Sequence, residues 1–85
     1  MLIQKSAEFK IDLNIKDHMG WTIFHFSCMY GAKNVVKLLM KYSDSYNIDL
    51  TAKDWSGLTG FQQAKQDKEY EVVKIIKRTM PQIAF

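Results

Sequence analysis

The sequence predicts an all-α repeat solenoid built from antiparallel helix pairs, and three observations predict it. The chain matches itself at a spacing of 37 residues, each copy holds two apolar stretches of helical period, and an Asp-x-x-Gly turn precedes each pair. Self-similarity at such a spacing marks architectures in which one unit buries its apolar face only against the next.

The match is close where it matters. IDLNIKDHMGWTIF, Ile11 to Phe24, aligns without gaps to IDLTAKDWSGLTGF, Ile48 to Phe61, and NVVKLLMK aligns to EVVKIIKR. LIQKSAEFKID near the start lies opposite LMKYSDSYNID. The chain therefore divides into a partial unit over 1–11, a full unit over 12–48 and a last unit over 49–85.

Each unit reads physically from its residues. The arms IDLNIKD and IDLTAKD alternate apolar and polar residues and run into a turn that Gly20 and Gly57 permit. Thr22 and Thr59 stand where a helix begins, a place that favours a hydroxyl able to accept a backbone N–H. The short helix that follows ends near Gly31 in one unit and near Lys68 in the other, and Lys68 is the poorer stop. A second helix then carries Val35, Val36, Leu38 and Leu39, or Val72, Val73, Ile75 and Ile76, with Lys33, Lys37 and Lys41 recurring every four residues on its back.

Arm, turn, helix, loop, helix, in this order and with the phrases DHMGWTIFHFS, G, VVKLL and DWSGLTGFQQA, K, VVKII, resembles the ankyrin repeat. The resemblance implies a stack of helix-turn-helix units with short hairpin-like arms. It implies protein binding through a concave face made of the turn tips and the first helices, and a structural role for His25 toward a threonine hydroxyl and backbone groups. Two departures stand out: Ile23 and Gly60 replace the helix-opening proline, and four additional residues in MKYSDSYNID stretch the usual period of about 33. Four residues make about one helical turn, so the sequence expects a longer second helix or a bulge after it.

Partner-binding candidates are the tip and short-helix-edge positions: His18, Met19, Trp21, Met29 and Tyr30 in the first unit, and Trp55, Ser56, Leu58, Gln66 and Asp67 in the second. Exposed aromatic residues are enriched at binding hot spots. Packing of Trp21 and Trp55 across adjoining turns, with Met29 filling a gap, is the competing reading. Phe24, Phe26, Ser27 and Cys28 are expected in the core. Their counterparts Phe61, Gln63, Ala64 and Lys65, together with Lys77 in place of Met40, turn polar as the end of an array would require.

Composition excludes several classes. An apolar share of 47% and a charged share of 25% describe a folded chain. No apolar run approaches the length of a membrane span. With one cysteine there is no internal disulfide, which fits an intracellular, cytoplasmic or nuclear setting. One cysteine and two histidines make a poor metal set. No catalytic constellation stands out, so neither an enzyme, a metal nor a cofactor is expected. The net charge of +3 sits on solvated helix backs, which makes nucleic acid an unlikely partner.

The expected function is a non-catalytic module that binds a partner protein. The alternative is a regulatory or targeting tail of a larger enzyme whose catalytic part lies upstream. Met1, Leu2 and Ile3 fall opposite Leu38, Leu39 and Met40, so a second helix without its first is expected there. An upstream unit or self-association through this open end would cover it.

Overall fold

The computed structural model describes residues 12–85, and the expectation for Met1, Leu2 and Ile3 lies outside them. Four helices follow in order: α1 (Ile23–Met29), α2 (Lys33–Lys41), α3 (Gly60–Gln66) and α4 (Tyr70–Thr79), then one 3-10 turn, Pro81–Ile83. Helices α1 and α2 form one pair, α3 and α4 the next, and the two pairs stack with α1 on α3 and α2 on α4. No strand forms among the described residues.

The arms are hairpin-like only at their tips. The Asp17 N–H donates to the Trp21 carbonyl at 3.0 Å and the Gly20 N–H to the Asp17 carbonyl at 2.9 Å. Asp54, Leu58 and Gly57 repeat the pattern at 2.9 and 2.9 Å. Gly20 and Gly57 occupy φ +80° and +85°, the left-handed region the turn demands. Earlier in each arm, the Asp12 carboxylate takes the Asn14 N–H and the Asp49 carboxylate the Thr51 N–H, so short side-chain turns replace extended backbone.

Each short helix opens on a reciprocal cap. Thr22 accepts the His25 N–H while the His25 ring accepts the Thr22 N–H, and Thr59 with Gln62 does the same. Both helices also stop alike. The Ala32 N–H reaches the Ser27 carbonyl at 2.9 Å and the Gly31 N–H the Cys28 carbonyl at 3.3 Å. In the other unit the Glu69 N–H reaches Ala64 at 2.9 Å and the Lys68 N–H reaches Lys65 at 3.1 Å. Lys68 thus holds φ +60° where its counterpart Gly31 holds +65°. Tertiary contacts impose the left-handed stop on a residue with a Cβ, at a local cost.

The four additional residues become a separate turn rather than a longer α2. After Lys41 the Tyr46 N–H bonds the Tyr42 carbonyl at 3.1 Å, and the Ile48 N–H returns to Ser43 at 2.8 Å across Asn47 at φ +54°. In the last unit the corresponding place holds the 3-10 turn Pro81–Ile83, which buries Ile83.

The core is one cluster from both pairs, with Phe24, Cys28, Val36, Phe61, Ala64, Val72 and Ile76 almost fully buried. Each phenylalanine so buried contributes about 2 to 3 kcal/mol. The closest approach lies between α1 and α3: a Cβ on Gly60 would come within 2.6 Å of the Phe24 ring and 3.2 Å of the Cys28 sulfur. The residue that replaces the helix-opening proline is small because the Phe24 ring occupies that space.

Two substitutions therefore move stability in opposite directions, as read by chemical denaturation. Gly60→Ala should lower unfolding free energy by about 1 to 3 kcal/mol through overpacking, against less than about 1 kcal/mol returned by helix propensity. Lys68→Gly should raise it by about 1 kcal/mol. A neutral Gly60→Ala would mean that α1 and α3 separate at little cost.

Candidate functional site

The tips of the two units are joined by a closed circuit of hydrogen bonds. The Asp54 Oδ1 accepts the N–H groups of Ser56 at 2.8 Å and Leu58 at 3.0 Å, which shapes its own turn. Its Oδ2 accepts the indole N–H of Trp21, from the preceding unit, at 3.0 Å. The Leu58 carbonyl lies 2.8 Å from His25 Nε2. Because Nδ1 accepts the Thr22 N–H at 3.2 Å, the ring proton sits on Nε2 and is donated to Leu58. Thr22 follows Trp21, which completes the circuit.

Further bonds extend this seam along the arms. The Asn14 amide donates to the Asn47 carbonyl at 2.8 Å and accepts the Asp49 N–H at 2.7 Å. The Lys16 ammonium donates to the Lys53 carbonyl at 2.7 Å and lies 4.8 Å from the Trp55 ring centroid. The Trp55 N–H bonds the Met19 carbonyl at 3.1 Å. Trp55 lies on Gly20, where a Cβ would meet its ring at 2.6 Å. The first tip is thus the floor on which the second stands.

Charge follows the same geometry. Burial pushes the Asp54 carboxyl up, but the hydrogen bonds from Leu58, Trp21 and Ser56 outweigh it and hold it below 3.8. At Asp17 the desolvation that would raise the carboxyl is likewise outweighed, by the N–H groups of Trp21 and Met19.

The ten predicted positions separate into distinct groups. Tyr30 and Trp55 are the most open, at 73% and 66% exposure, and Met19 follows at 42%. His18, Ser56, Gln66 and Asp67 are exposed. Trp21, Met29 and Leu58 are half-buried. Trp21 and Leu58 are both engaged in the circuit, Trp21 through its indole N–H and Leu58 through its backbone. Asp67 accepts a bond from the Gln63 amide at 3.2 Å.

Phe26 requires a correction. Expected in the core, it is half-buried, with its ring edge-on to Trp21 at 5.5 Å and stacked on Tyr30 at 6.2 Å. Trp21, Phe26 and Tyr30 form one aromatic ridge along α1. The counterparts Leu58, Gln63 and Asp67 carried a signal for this in the sequence: the position that loses its ring in the last unit faces outward, whereas Phe24 and Phe61, which both keep theirs, face the core. Lys16 and Asp54 were also missed, since their roles depend on contacts with another unit.

Chemistry at the remaining candidate is blocked by burial. Cys28 is fully buried and its thiol is pushed up to about 12, so no thiolate is available as a nucleophile. His25, its neighbour on α1, has both ring nitrogens engaged. Among the described residues, no three His, Cys, Asp or Glu side chains gather as a metal set.

Comparison with known proteins agrees with this geometry. A family model described as ankyrin repeats (3 copies) matches residues 1–82. Among solved structures, the chain is similar to one in the structure of the predatory endopeptidase Bd0816 from Bdellovibrio bacteriovorus in complex with immunity protein Bd3460. The two are 26% identical with a TM-score of 0.71, over 93% of this chain and 39% of that one. No curated protein matches the sequence.

Removing the carboxylate tests the circuit. Asp54→Ala should cost about 2 kcal/mol or more by leaving the Leu58 and Trp21 donors without their acceptor, and should shift Trp21 fluorescence. The Asp54 carboxyl is lowered in the folded state, so its stabilisation is complete above the unfolded value and is lost as pH falls through the folded one. The unfolding free energy should therefore decline below pH 3.8. Asp54→Asn should flatten that decline, and an unchanged slope would show that Asp54 does not contribute to it.

Proposed function

Because this chain belongs to the ankyrin-repeat family, we propose that it is a non-catalytic module that binds a partner protein through its turn tips and the outer edge of its short helices. The observation that carries this reading is the exposure of Tyr30 and Trp55 on a framework held by bonds between units. Large aromatic rings on a rigid support give contact area at low ordering cost, which is how hot spots act. The ridge of Trp21, Phe26 and Tyr30 supplies an apolar track, and Met19 with Trp55 supplies a second contact at the tip. Gln66 and Asp67, at the end of α3, add a polar border.

Two further facts favour binding over chemistry. Ankyrin repeats are protein-interaction modules, and the similar solved chain comes from a complex of one protein with another. The groups of this chain best suited to nucleophilic or acid-base work, Cys28 and His25, are enclosed in the stack.

The test is affinity capture with the wild-type chain beside Tyr30→Ala and Trp55→Ala, followed by titration of the captured protein. Each substitution should weaken binding by roughly 10- to 30-fold and leave helix content unchanged. Lys37→Ala, on the opposite side of the molecule, should bind as wild type. A partner that ignores both aromatic substitutions and is lost with Lys37→Ala would place the binding face on the helix backs instead.

A further inference from the structure

The cations of this chain are unevenly placed. Among residues 12–85, helices α2 and α4 hold six of the ten lysine and arginine residues and one acidic residue, Glu71. The rest of that range carries four cations against seven acids, so the positive charge belongs to these two helices. A charge divided in this way orients the molecule in an external field, beyond what its net charge of +3 would do.

The repeat sets these cations in register. Measured from the buried Val36 and Val73 at about 100° per residue, Lys37 and Lys74 stand at about 100°, and Lys41 and Arg78 at about 140°. Lys74 and Arg78 are the counterparts of Lys37 and Lys41 at the offset of 37, and α2 and α4 pack side by side. The four thus form two rows, with neighbours about 5 to 6 Å apart along each helix and about 8 to 10 Å apart between helices. All four are exposed, as are Lys33 and Lys77 at the borders.

We propose that this two-helix back is a docking face for an anionic lipid bilayer, with the turn tips directed away from the membrane. Charge complementarity selects an anionic partner, and shape selects among anionic partners. Two helix backs side by side present their cations in one plane. A flat surface meets both rows together, whereas a nucleic-acid duplex curves away from one of them. Three of the four are lysines, mobile point charges rather than planar forks that read a single phosphate, and these suit headgroups that move within the bilayer plane. Clusters of about four to eight such cations are enough for attachment to acidic headgroups. Tyr70, 62% exposed one turn before Lys74, is of the kind that settles at headgroup level. Tyr30 and Trp55 lie on the other side of the molecule and stay accessible.

Flotation of the whole chain with vesicles tests the proposal, using phosphatidylcholine alone or with about 30% phosphatidylserine at about 0.1 M salt. Binding is expected only to the anionic vesicles, and should be lost at about 1 M salt, where the Debye length shrinks to about 3 Å. Each cation at the surface strengthens attachment about five-fold, so Lys37→Gln combined with Lys74→Gln should weaken it about 25-fold. Glu71→Gln, which removes an acid from the same face, should strengthen it about five-fold, a gain that misfolding cannot produce. Lys53→Gln, at a tip, should leave it unchanged. Equal binding to both kinds of vesicle overturns the proposal, as does binding to neither. So does a loss with Lys53→Gln as large as with the helix pair, or capture by a DNA duplex of about 20 base pairs in salt that releases the anionic vesicles.

Discussion

The Asp54 carboxylate is the constraint on which the stack of units depends. One of its oxygens folds the second turn by holding the Ser56 and Leu58 N–H groups, and the other holds the Trp21 indole of the first. The same group therefore sets the shape of one tip and its distance from the other. His25 closes the circuit by donating to the Leu58 carbonyl that Asp54 has positioned. Satisfied networks of this kind specify one arrangement, because any slip leaves buried donors without acceptors.

The helices meet by a different kind of contact, and the two kinds reinforce one another. Between α1 and α3 the separation is set by shape, with the Phe24 ring over Gly60 and beside Cys28. At the arms it is set by directional bonds: Asn14 to Asn47 and Asp49, Lys16 to Lys53, Trp55 to Met19. Apolar packing alone tolerates sliding, whereas hydrogen bonds at fixed intervals do not. The outcome is a row of tips whose exposed side chains, Met19, Tyr30 and Trp55 above all, stand on an ordered support before any partner arrives. Less ordering remains to be done on binding.

The two ends of the described stack are chemically unlike. On the last unit, Gln62 takes the place of His25 and turns its amide to the Phe85 oxygen, so the following chain stands where another turn would be. Ile83 is buried in the same region and Lys65 lies over Phe61. Among the described residues of the first unit, Ile23, Val35, Leu38 and Tyr42 are instead large apolar side chains with 38 to 53% exposure. A stack of like units acquires a direction from this difference in solvation alone.

Much of this was legible in the sequence because it is local or periodic. The offset of 37 residues set the unit, the valine and leucine spacing set the second helices, Thr22 and Thr59 announced the caps, and Gly20 and Gly57 the turns. These features depend on residues at most a few places apart, so propensity and hydrogen-bonding capacity suffice to read them. What only the tertiary structure decided are contacts across about 33 to 37 residues: Trp21 engaged by Asp54, Lys16 by Lys53, and Gly60 small because Phe24 lies above it. Lys68 in a left-handed stop is the same lesson locally, since the packing of α3 against α4 overrides a preference that a glycine there would have satisfied. A side chain's partner in the next unit depends on how the units are rotated and spaced, and that is a property of the packed stack.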